Sequence, residues 1–493
     1  MDRDSGCKNL RGFRVLSNHN CEVHLSKAQV ESGEAEPLSP RAARRVLISL
    51  MFSSMLMPMV SGMSRVALPV IRDDFGIPAD LTAWVLAAFM LPFVVLMPIY
   101  GRLSDGVDRR VLILVGTVIF GVGSTMTFMA PDMRWLMAGR AIQGIGVGGM
   151  TPMGMALLAS IFSAGERGRV LGTWSAVGPA MSFSSSFVAG LLIAVWGWRA
   201  AFVPGLLLSV VTFVAIYRGV PSQVIGEASK FLRQFDWGGV GLLSGGIVFL
   251  MFYLSSRSVT GVAPFEDWRL LLGSGVFFAG FWWWERGRED PFLPLNFFGN
   301  RMFCRVTFCA SMRMFVQGGI GVLMPLYLVD VHRMGPALLG VFLIISSAAM
   351  MLIVRFGGQM SDRFQSRWLV IIGMFVQLTV MLGFAHLSDT ISTWVIAGLL
   401  AYYGLGAGLM LAALHSTVMG TVDSDQMGAA AGLYSMLRFM GMAISTALVG
   451  VALQFFFDAN LATLDAYQNV FMVLAIFPVL GMVVGFGLRE KRL

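Results

Sequence analysis

The chain has 493 residues, of which 56% are hydrophobic and only 13% are charged, and its formal net charge at pH 7 is +8. Soluble domains carry about 25% charged residues, so this composition excludes a soluble globular protein and predicts that most of the chain faces lipid or other helices. Lys and Arg are scattered through short loops and do not gather on one face, so the positive charge reflects membrane topology and excludes a nucleic-acid-binding surface.

Residues 1–45 are polar and mixed in charge, which predicts a disordered cytoplasmic tail. Fourteen apolar segments follow, and their lengths predict membrane-spanning helices. The predicted helices 1–14 cover about residues 46–69, 81–100, 111–130, 135–162, 168–195, 199–217, 237–256, 268–284, 303–329, 337–359, 368–387, 394–420, 428–456 and 467–488.

Alternate connections between these helices differ in their content of basic residues. Arg102, Arg109 and Arg110 follow helix 2, for example, whereas the connection after helix 3 holds only Arg134. The positive-inside rule therefore places both termini in the cytoplasm, as an even number of helices requires. We expect a multi-pass protein of the cell (inner) membrane.

The second half of the chain repeats the first. GRLSDGVDRR at 101–110 returns in degenerate form as GGQMSDRFQSRW at 357–368, and Gly144 and Gly146 match Gly404 and Gly406, 260 residues later. Repeats of this kind indicate two copies of one helix bundle. Helices 1–6 match helices 9–14, which predicts a tail (1–45), an N-terminal six-helix bundle (46–217), an inserted two-helix pair with its flanking loops (218–301) and a C-terminal six-helix bundle (302–493).

Five segments in chain order resemble motifs of the major facilitator superfamily, in particular its fourteen-helix drug:proton antiporter branch. They are GRLSDGVDRR (101–110), WLMAGRAIQGIGVGG (135–149), VGPAMSFSSSFVAG (177–190), WGWRAAFVPG (196–205) and MGAAAGLYSMLRFMGMAIS (427–445). The resemblance implies an all-α membrane fold and a secondary transporter that exports amphipathic organic compounds or drugs by alternating access, in antiport with protons.

The resemblance also implies a cytoplasmic gate at the repeated loop, formed by Gly101, Asp105, Arg109 and Arg110 in the first copy and by Asp362 and Arg363 in the second. We expect Gly101 to allow a close approach of two helices, and Asp105 to cap the following helix and pair with a neighbouring Arg. This chain departs from the family pattern at Gly106 and Asp108. In helix 5, Gly178 and Pro179 match the antiporter motif, and the serines at 182 and 184–186 could either line a cavity or bond back to helix carbonyls.

The branch usually carries an Asp in helix 1, where this chain has Val60, and no Asp or Glu lies well inside any predicted helix. The interior residues are instead basic, and a charge buried in a membrane is costly unless it is paired or hydrated. They are Arg65, Arg140, Arg313, Arg355 and Arg438.

Three roles are open for these arginines: a structural role, a surrogate for a proton carrier, or the binding of an anionic group between Arg65 and Arg313. We expect Arg140 and Arg438 to bond helix carbonyls. The substrate-cavity candidates are Arg65, Arg313, Arg140, Gln143, Arg438, Ser182 and Gln317. His415 is the candidate proton carrier, because a His titrates at physiological pH, although packing alone would also explain it.

The predicted partners are a small-molecule substrate, membrane lipid and protons as the coupling ion, with no nucleic acid, metal or cofactor. No nucleotide loop, His-rich metal cluster or nucleophile motif appears among the helices, so we do not expect an enzyme. The alternatives are an organic-anion transporter or exchanger that uses Arg65 and Arg313, and a membrane sensor that does not transport.

Overall fold

The computed structural model describes residues 39–488 with gaps at 105, 163–165, 167–169, 171–172, 175–176, 223–227, 256–259, 264, 289–292, 294, 364 and 423–426. Within the described ranges every regular element is helical. This confirms the predicted all-α class.

Fourteen long helical elements, α1–α14, match the predicted helices. Two of them are interrupted: α4 consists of Met133–Val147 and Met150–Ile161, and α14 of Thr463–Leu474 and Ile476–Gly485. The others are α1 Pro40–Phe75, α2 Ala79–Leu103, α3 Arg109–Phe128, α5 Val177–Trp196, α6 Val203–Gly219, α7 Trp237–Leu254, α8 Trp268–Arg286, α9 Arg301–Asp330, α10 Pro336–Arg363, α11 Ser366–Ala385, α12 Thr393–Met419 and α13 Met427–Asp458.

Thirteen helices in the described part of the chain are long and apolar enough to cross a membrane. The one predicted span that is not among these thirteen is α8. It is 19 residues long, and its tryptophans and charged ends make it less apolar. Lipid-exposed Trp at a helix end is typical of the membrane interface, and Trp283 is 77% exposed.

One predicted helix boundary was wrong, and a second cannot be compared because it lies outside the described residues. The predicted helix 1 ends at Pro69, but α1 contains both Pro58 and Pro69 and continues to Phe75. Proline is tolerated inside a membrane helix because neighbouring groups satisfy the carbonyl that it frees. The predicted start of helix 5 at residue 168 lies outside the described residues, and α5 is seen from Val177.

The helices of the two halves pack against each other in matching pairs. We call the membrane face at which α1 begins the near face and the opposite one the far face. Helix α2 packs along α13 and α5 along α10, and the repeat makes these two pairs equivalent. Helix α1 meets its own repeat equivalent, α9. Helices α7 and α8 pack together, and α7 also contacts α2 and α13.

Glycines bring the halves into backbone contact toward the far face. A Cβ atom at Gly340 of α10 would lie 2.7 Å from the Ser186 carbonyl oxygen and 3.1 Å from the Gly190 Cα of α5. A Cβ at Gly450 of α13 would lie 3.1 Å from the Ala79 carbonyl oxygen of α2. Small residues of this kind allow helices to approach closely within a membrane.

Candidate functional site: a basic cavity between the halves

A small cavity of about 50 Å³ lies between the two halves. Arg65 of α1 and Ser186 of α5 come from the first half. The remaining lining residues come from α9, α10 and α12, and they are Gln317, Ile320, Gly321, Leu343, Ser346, Ser347, Met350, Leu400, Tyr403, Gly404 and Ala407. Both halves therefore contribute to the cavity, and its lining contains polar as well as apolar side chains.

Arg65 projects from α1 toward α9. Its Nη2 lies 3.4 Å from Ser61 Oγ on its own helix, and its Nε would lie 3.3 Å from a Cβ atom at Gly321. The absence of a side chain at Gly321 makes room for the guanidinium beside α9. Arg65 is half-buried, as expected of a charge that lines a cavity.

Arg313 lies in the middle of α9, is 2% exposed and donates from Nε to the Ala407 carbonyl oxygen at 3.2 Å. Ala407 is itself a cavity-lining residue, so the Arg313 guanidinium lies directly behind the cavity wall. Tyr403 lines the same cavity as Arg65, and it lies one turn before Ala407, whose carbonyl oxygen accepts from Arg313. Two arginines from equivalent helices therefore approach one phenol.

Gln317, one turn from Arg313, also faces the cavity, and its Oε1 is buried with no hydrogen-bond donor among the described residues. A buried polar atom without a partner costs free energy, so Gln317 is suited to a partner that enters from the cavity.

Arg438 and His415 form a direct contact beside this site. Arg438 Nη1 lies 2.7 Å from His415 Nε2, and the imidazole meets the Tyr434 ring edge to face at 5.6 Å. A guanidinium can only donate, so His415 accepts at Nε2 and must be a neutral ring with its proton on Nδ1. Arg313 is a third basic group close to this pair.

No carboxylate accompanies these basic groups in the described interior. Every described Asp and Glu lies between helices or in the first or last turn of one. A guanidinium in a membrane normally pairs with an acid, a carbonyl or water. Arg65, Arg313 and Arg438 therefore give the centre of the molecule a positive charge that the described chain does not offset.

Arg140 and Gln143 lie in a different place. Arg140 is fully buried, donates from Nε to the Val85 carbonyl oxygen at 2.9 Å and from Nη1 to Gln143 Oε1 at 2.8 Å, and lies over the Phe89 ring. Gln143 in turn donates to Ser124 Oγ at 3.0 Å. Neither residue lines the cavity, so this pair joins α2, α3 and α4 and is not a part of the central site.

Of the serines in α5, some bond back to helix carbonyls and one lines the cavity. Ser182 does not line the cavity, and its carbonyl oxygen accepts hydrogen bonds from Ser185 Oγ at 3.2 Å and Ser186 Oγ at 3.4 Å. Ser184 Oγ bonds back to the Ala180 carbonyl oxygen. Only Ser186 reaches the cavity. Gly178 and Pro179 lie in the first turn of α5, and a Cβ atom at Gly178 would lie 3.9 Å from Pro58 Cγ of α1.

The predicted cytoplasmic gate lies at the near face, and the structure describes only part of it. Asp105 lies outside the described residues, as do the side chains of Asp362 and Arg363. The expected close approach at Gly101 is not found, because a Cβ there would meet no heavy atom within 4 Å. Close packing occurs instead at Gly106, against the Phe231 ring.

Asp108 provides the observed cap of α3. Its Oδ1 accepts from the Arg110 amide at 2.9 Å, and its Oδ2 from Ser222 Oγ at 2.7 Å. Arg109 is the first residue of α3, and Arg110 Nη2 donates to the Tyr217 carbonyl oxygen at 2.6 Å. The two departures from the family pattern, Gly106 and Asp108, are therefore accommodated by contacts with the segment that follows the first bundle, at Phe231 and Ser222.

Tyr403 was missed by the sequence analysis. The repeat contained the signal for it, because an offset of 260 residues places Tyr403 where the first half has Gln143. The second half lacks an Arg at the position of Arg140, which is Leu400, and Arg313 reaches the region from α9 instead. The two halves therefore use matching positions for different purposes.

The two matched helical halves, the many membrane-spanning helices and the cavity at their interface together define a multi-pass membrane protein with the architecture of a secondary transporter. The family model for the Major Facilitator Superfamily matches residues 50–446. The chain belongs to this superfamily, and the suspected resemblance is confirmed. Members of this superfamily are transporters and not enzymes.

Among similar proteins, Multidrug resistance protein Stp of Mycobacterium tuberculosis is 26% identical over 399 residues, which cover 80% of this chain and 73% of that protein. Riboflavin transporter RibZ of Clostridioides difficile is 23% identical over 404 residues, covering 82% and 86%. A crystal structure of a D-xylose-proton symporter has a TM-score of 0.65 at 14% identity and covers 90% of this chain and 97% of that one. The structural likeness shows the fold alone.

Proposed function

We propose that this protein is an alternating-access transporter of amphipathic organic anions in the cell membrane, and that it holds the anionic group between Arg65 and Arg313. The observation that supports the proposal is the interface cavity, which has Arg65 in its wall, Arg313 against its lining residue Ala407 and no described carboxylate. Guanidinium groups bind carboxylates, sulfonates and phosphates through paired hydrogen bonds. A bound anion would offset the cost of burying both charges.

The apolar side of the cavity suits the rest of such a compound. Ile320, Leu343, Met350 and Leu400 line it, and flexible or branched apolar side chains can pack against varied hydrocarbon shapes. The cavity volume of about 50 Å³ is far below the ~300–1,000 Å³ of sites for drug-sized ligands. The structure therefore shows a conformation in which the cavity is closed. Binding then requires the halves to move apart, as alternating access implies.

His415 is our proposed site for the coupling proton. Since Arg438 donates to His415 Nε2, a proton can bind at Nε2 only when that contact breaks. An anion beside Arg313 and Arg438 would offset the added positive charge. Anion and proton would therefore bind together and move in the same direction, which differs from the antiport that the family resemblance implies.

A second candidate function is the export of amphipathic compounds regardless of charge. Similar proteins bear the names of a multidrug resistance protein and a riboflavin transporter, so a broad substrate range is found among the relatives. The electrostatics of the cavity separate the two candidates, because a cationic drug would be repelled by Arg65 and Arg313.

The test is flux into proteoliposomes of two amphipathic dyes of equal size, one a sulfonate and one a quaternary ammonium. We expect uptake of the sulfonate dye, a loss of about tenfold or more with Arg313→Gln, equivalent to about 1.4 kcal/mol, and no loss with Arg305→Gln. Arg305 lies two turns away on the same helix, is exposed and bonds the Gly487 carbonyl oxygen, which makes it a matched control.

The same vesicles report on the proton through a pH dye in their lumen. We expect sulfonate uptake to acidify the lumen, and His415→Gln to transport the dye without acidification, since a Gln oxygen can still accept from Arg438. Preferred transport of the cation, or sulfonate uptake unaffected by Arg313→Gln in a folded protein, would defeat the anion proposal. Unchanged acidification by His415→Gln would defeat the role of His415 alone.

A further inference from the structure

An ion pair joins the two halves at the far face. Arg72 near the end of α1 donates from Nη1 to Asp330 Oδ2 and from Nη2 to Asp330 Oδ1, each at 2.6 Å, and Asp330 is the last residue of α9. Tyr467 Oη of α14 donates to Asp330 Oδ2 at 2.5 Å. The side chains of Arg72 and Asp330 are 18% and 14% exposed. This paired geometry, largely shielded from solvent, is the strong form of an ion pair.

Asp330 has a repeat equivalent within the first half. Asp74 and Asp330 each lie five residues after the proline of their helix, Pro69 and Pro325. Asp74 Oδ2 accepts from Trp198 Nε1 at 2.8 Å, as Asp330 accepts from Tyr467. Trp198 and Tyr467 are themselves equivalent, since each stands four residues before a fully buried phenylalanine, Phe202 or Phe471.

The equivalence breaks at the next residue. Arg199 follows Trp198 and lies 3.5 Å from Asp74, so this acid has a cation in its own half. Gln468 follows Tyr467, and its side chain donates to the Leu387 carbonyl oxygen instead. Asp330 therefore lacks a cation at the matching position of its own half, and it takes Arg72 from the other half.

A second polar link lies close to the first. Helix α2 begins after Pro78, which provides no side-chain cap, and its Ala79 amide donates to Gln454 Oε1 of α13 at 2.9 Å. Gln454 is held in turn by a hydrogen bond from its Nε2 to Asp458 Oδ1 at 2.9 Å. The start of a first-half helix is thus capped by the second half.

Arg72 also lies on the same helix as the cavity residue Arg65. It lies seven residues after Arg65, and seven residues are two turns of a helix, so both side chains lie on the same face of α1. Arg65 faces Gly321 of α9 and Arg72 faces Asp330 at the end of that helix. A movement of α1 away from α9 would separate both contacts together.

We propose that Arg72, Asp330 and Tyr467 form the far-face gate of this transporter. The ion pair holds α1 against α9 while the far face is closed, and it must break before the cavity opens to that side. This inference goes beyond the proposed substrate, because it holds for any compound that the cavity accepts.

The experiment measures access to the cavity from each side of the membrane. A Ser346→Cys reporter is placed in the cavity wall of a chain whose four native cysteines are changed to Ser, and a membrane-impermeant maleimide is applied to each face in turn. We expect Asp330→Asn to speed labelling from the far face about tenfold or more, because Asn cannot pair with the Arg72 charge. The matched control is Asp74→Asn, which removes the equivalent acid within one half and should leave the rate unchanged.

The charge-reversed double variant, Arg72→Asp with Asp330→Arg, keeps the pair across the halves with the charges exchanged. We expect it to return the labelling rate most of the way to that of the parent. Equal rates for Asp330→Asn and Asp74→Asn, or a double variant as fast as Asp330→Asn, would overturn the gate. Because labelling requires no substrate, a failure here is distinguishable from a failure of the anion proposal.

Discussion

At the scale of single residues, the buried arginines differ in how well the protein itself satisfies them. Arg140 has a carbonyl, an amide oxygen and an aromatic ring as partners. Within the described part of the chain, Arg313, which is also buried, has one hydrogen bond to a carbonyl, and another positive group lies nearby. A satisfied charge stabilises the helices that it joins, whereas a poorly satisfied one is costly and is kept for another reason.

This difference predicts opposite effects of the same substitution. Arg140→Met would leave the Val85 carbonyl and Gln143 without their donor, and we expect a loss of about 2–4 kcal/mol of stability. Arg313→Met removes an uncompensated charge from a membrane helix, so we expect equal or higher stability together with loss of anion transport. Thermal unfolding of the purified variants in detergent provides the measurement. A greater loss of stability at Arg313 than at Arg140 would show that this assignment of roles is wrong.

At the scale of helices, glycines matter only where another backbone is close. Gly146 of α4 packs on α3, since a Cβ there would lie 2.5 Å from both the Gly116 carbonyl oxygen and the Phe120 amide nitrogen. Neither backbone atom can move without displacing its helix. Gly101, which the sequence analysis singled out for close packing, faces open space.

We therefore expect Gly146→Ala to separate α3 from α4 and to cost about 1–3 kcal/mol, the usual range for overpacking a core. Gly101→Ala should be neutral or stabilising by up to about 1 kcal/mol, because Ala favours helix over Gly. Thermal unfolding of the two variants, prepared in parallel, compares them directly. Destabilisation by Gly101→Ala that equals the loss at Gly146 would contradict the packing described for α2.

The helices themselves could be predicted because each needs a long apolar run, and hydropathy records that requirement directly. Their ends were harder to predict. Pro69 ends a helix in water, but here α1 continues to Phe75 because the surrounding membrane protein tolerates the missing hydrogen bond. The break in α4 at Gly148–Gly149 likewise depends on packing against other helices, which no local pattern records.

The candidate site was predictable only in part, for the same reason. Arg65, Arg313 and Gln317 were found because charge and amide groups are rare in apolar helices. Tyr403 was missed and the choice between the two roles of Ser186 was left open, because single Tyr and Ser residues are common there and carry no signal until the helices are assembled. The contact between His415 and Arg438 joins residues 23 positions apart, on different helices, and required the tertiary structure.

At the scale of the whole molecule, the halves resemble each other in backbone and differ in charge. The first half supplies Arg72 and the second supplies Asp330, so among the described residues one ion pair joins the halves at the far face. A single pair of this kind is worth a few kcal/mol at most, which is the right size for a contact that must break in every cycle. A stronger closure would trap the protein in one state.

The close backbone contact between α10 and α5 offers a steric test of the same movement. A Cβ at Gly340 would lie 2.7 Å from the Ser186 carbonyl oxygen and 3.1 Å from Gly190 Cα, so a larger side chain fits only if α10 moves away from α5. We expect Gly340→Leu to hold the far side of the cavity open, so that the protein binds an amphipathic anion but no longer transports it. Gly398→Leu on α12 is the control, since a Cβ there meets nothing within 4 Å. Equilibrium binding and vesicle flux, measured on both variants, separate the two steps. Normal flux with Gly340→Leu would mean that the contact between α5 and α10 does not close the far face, whatever the role of the Arg72–Asp330 pair.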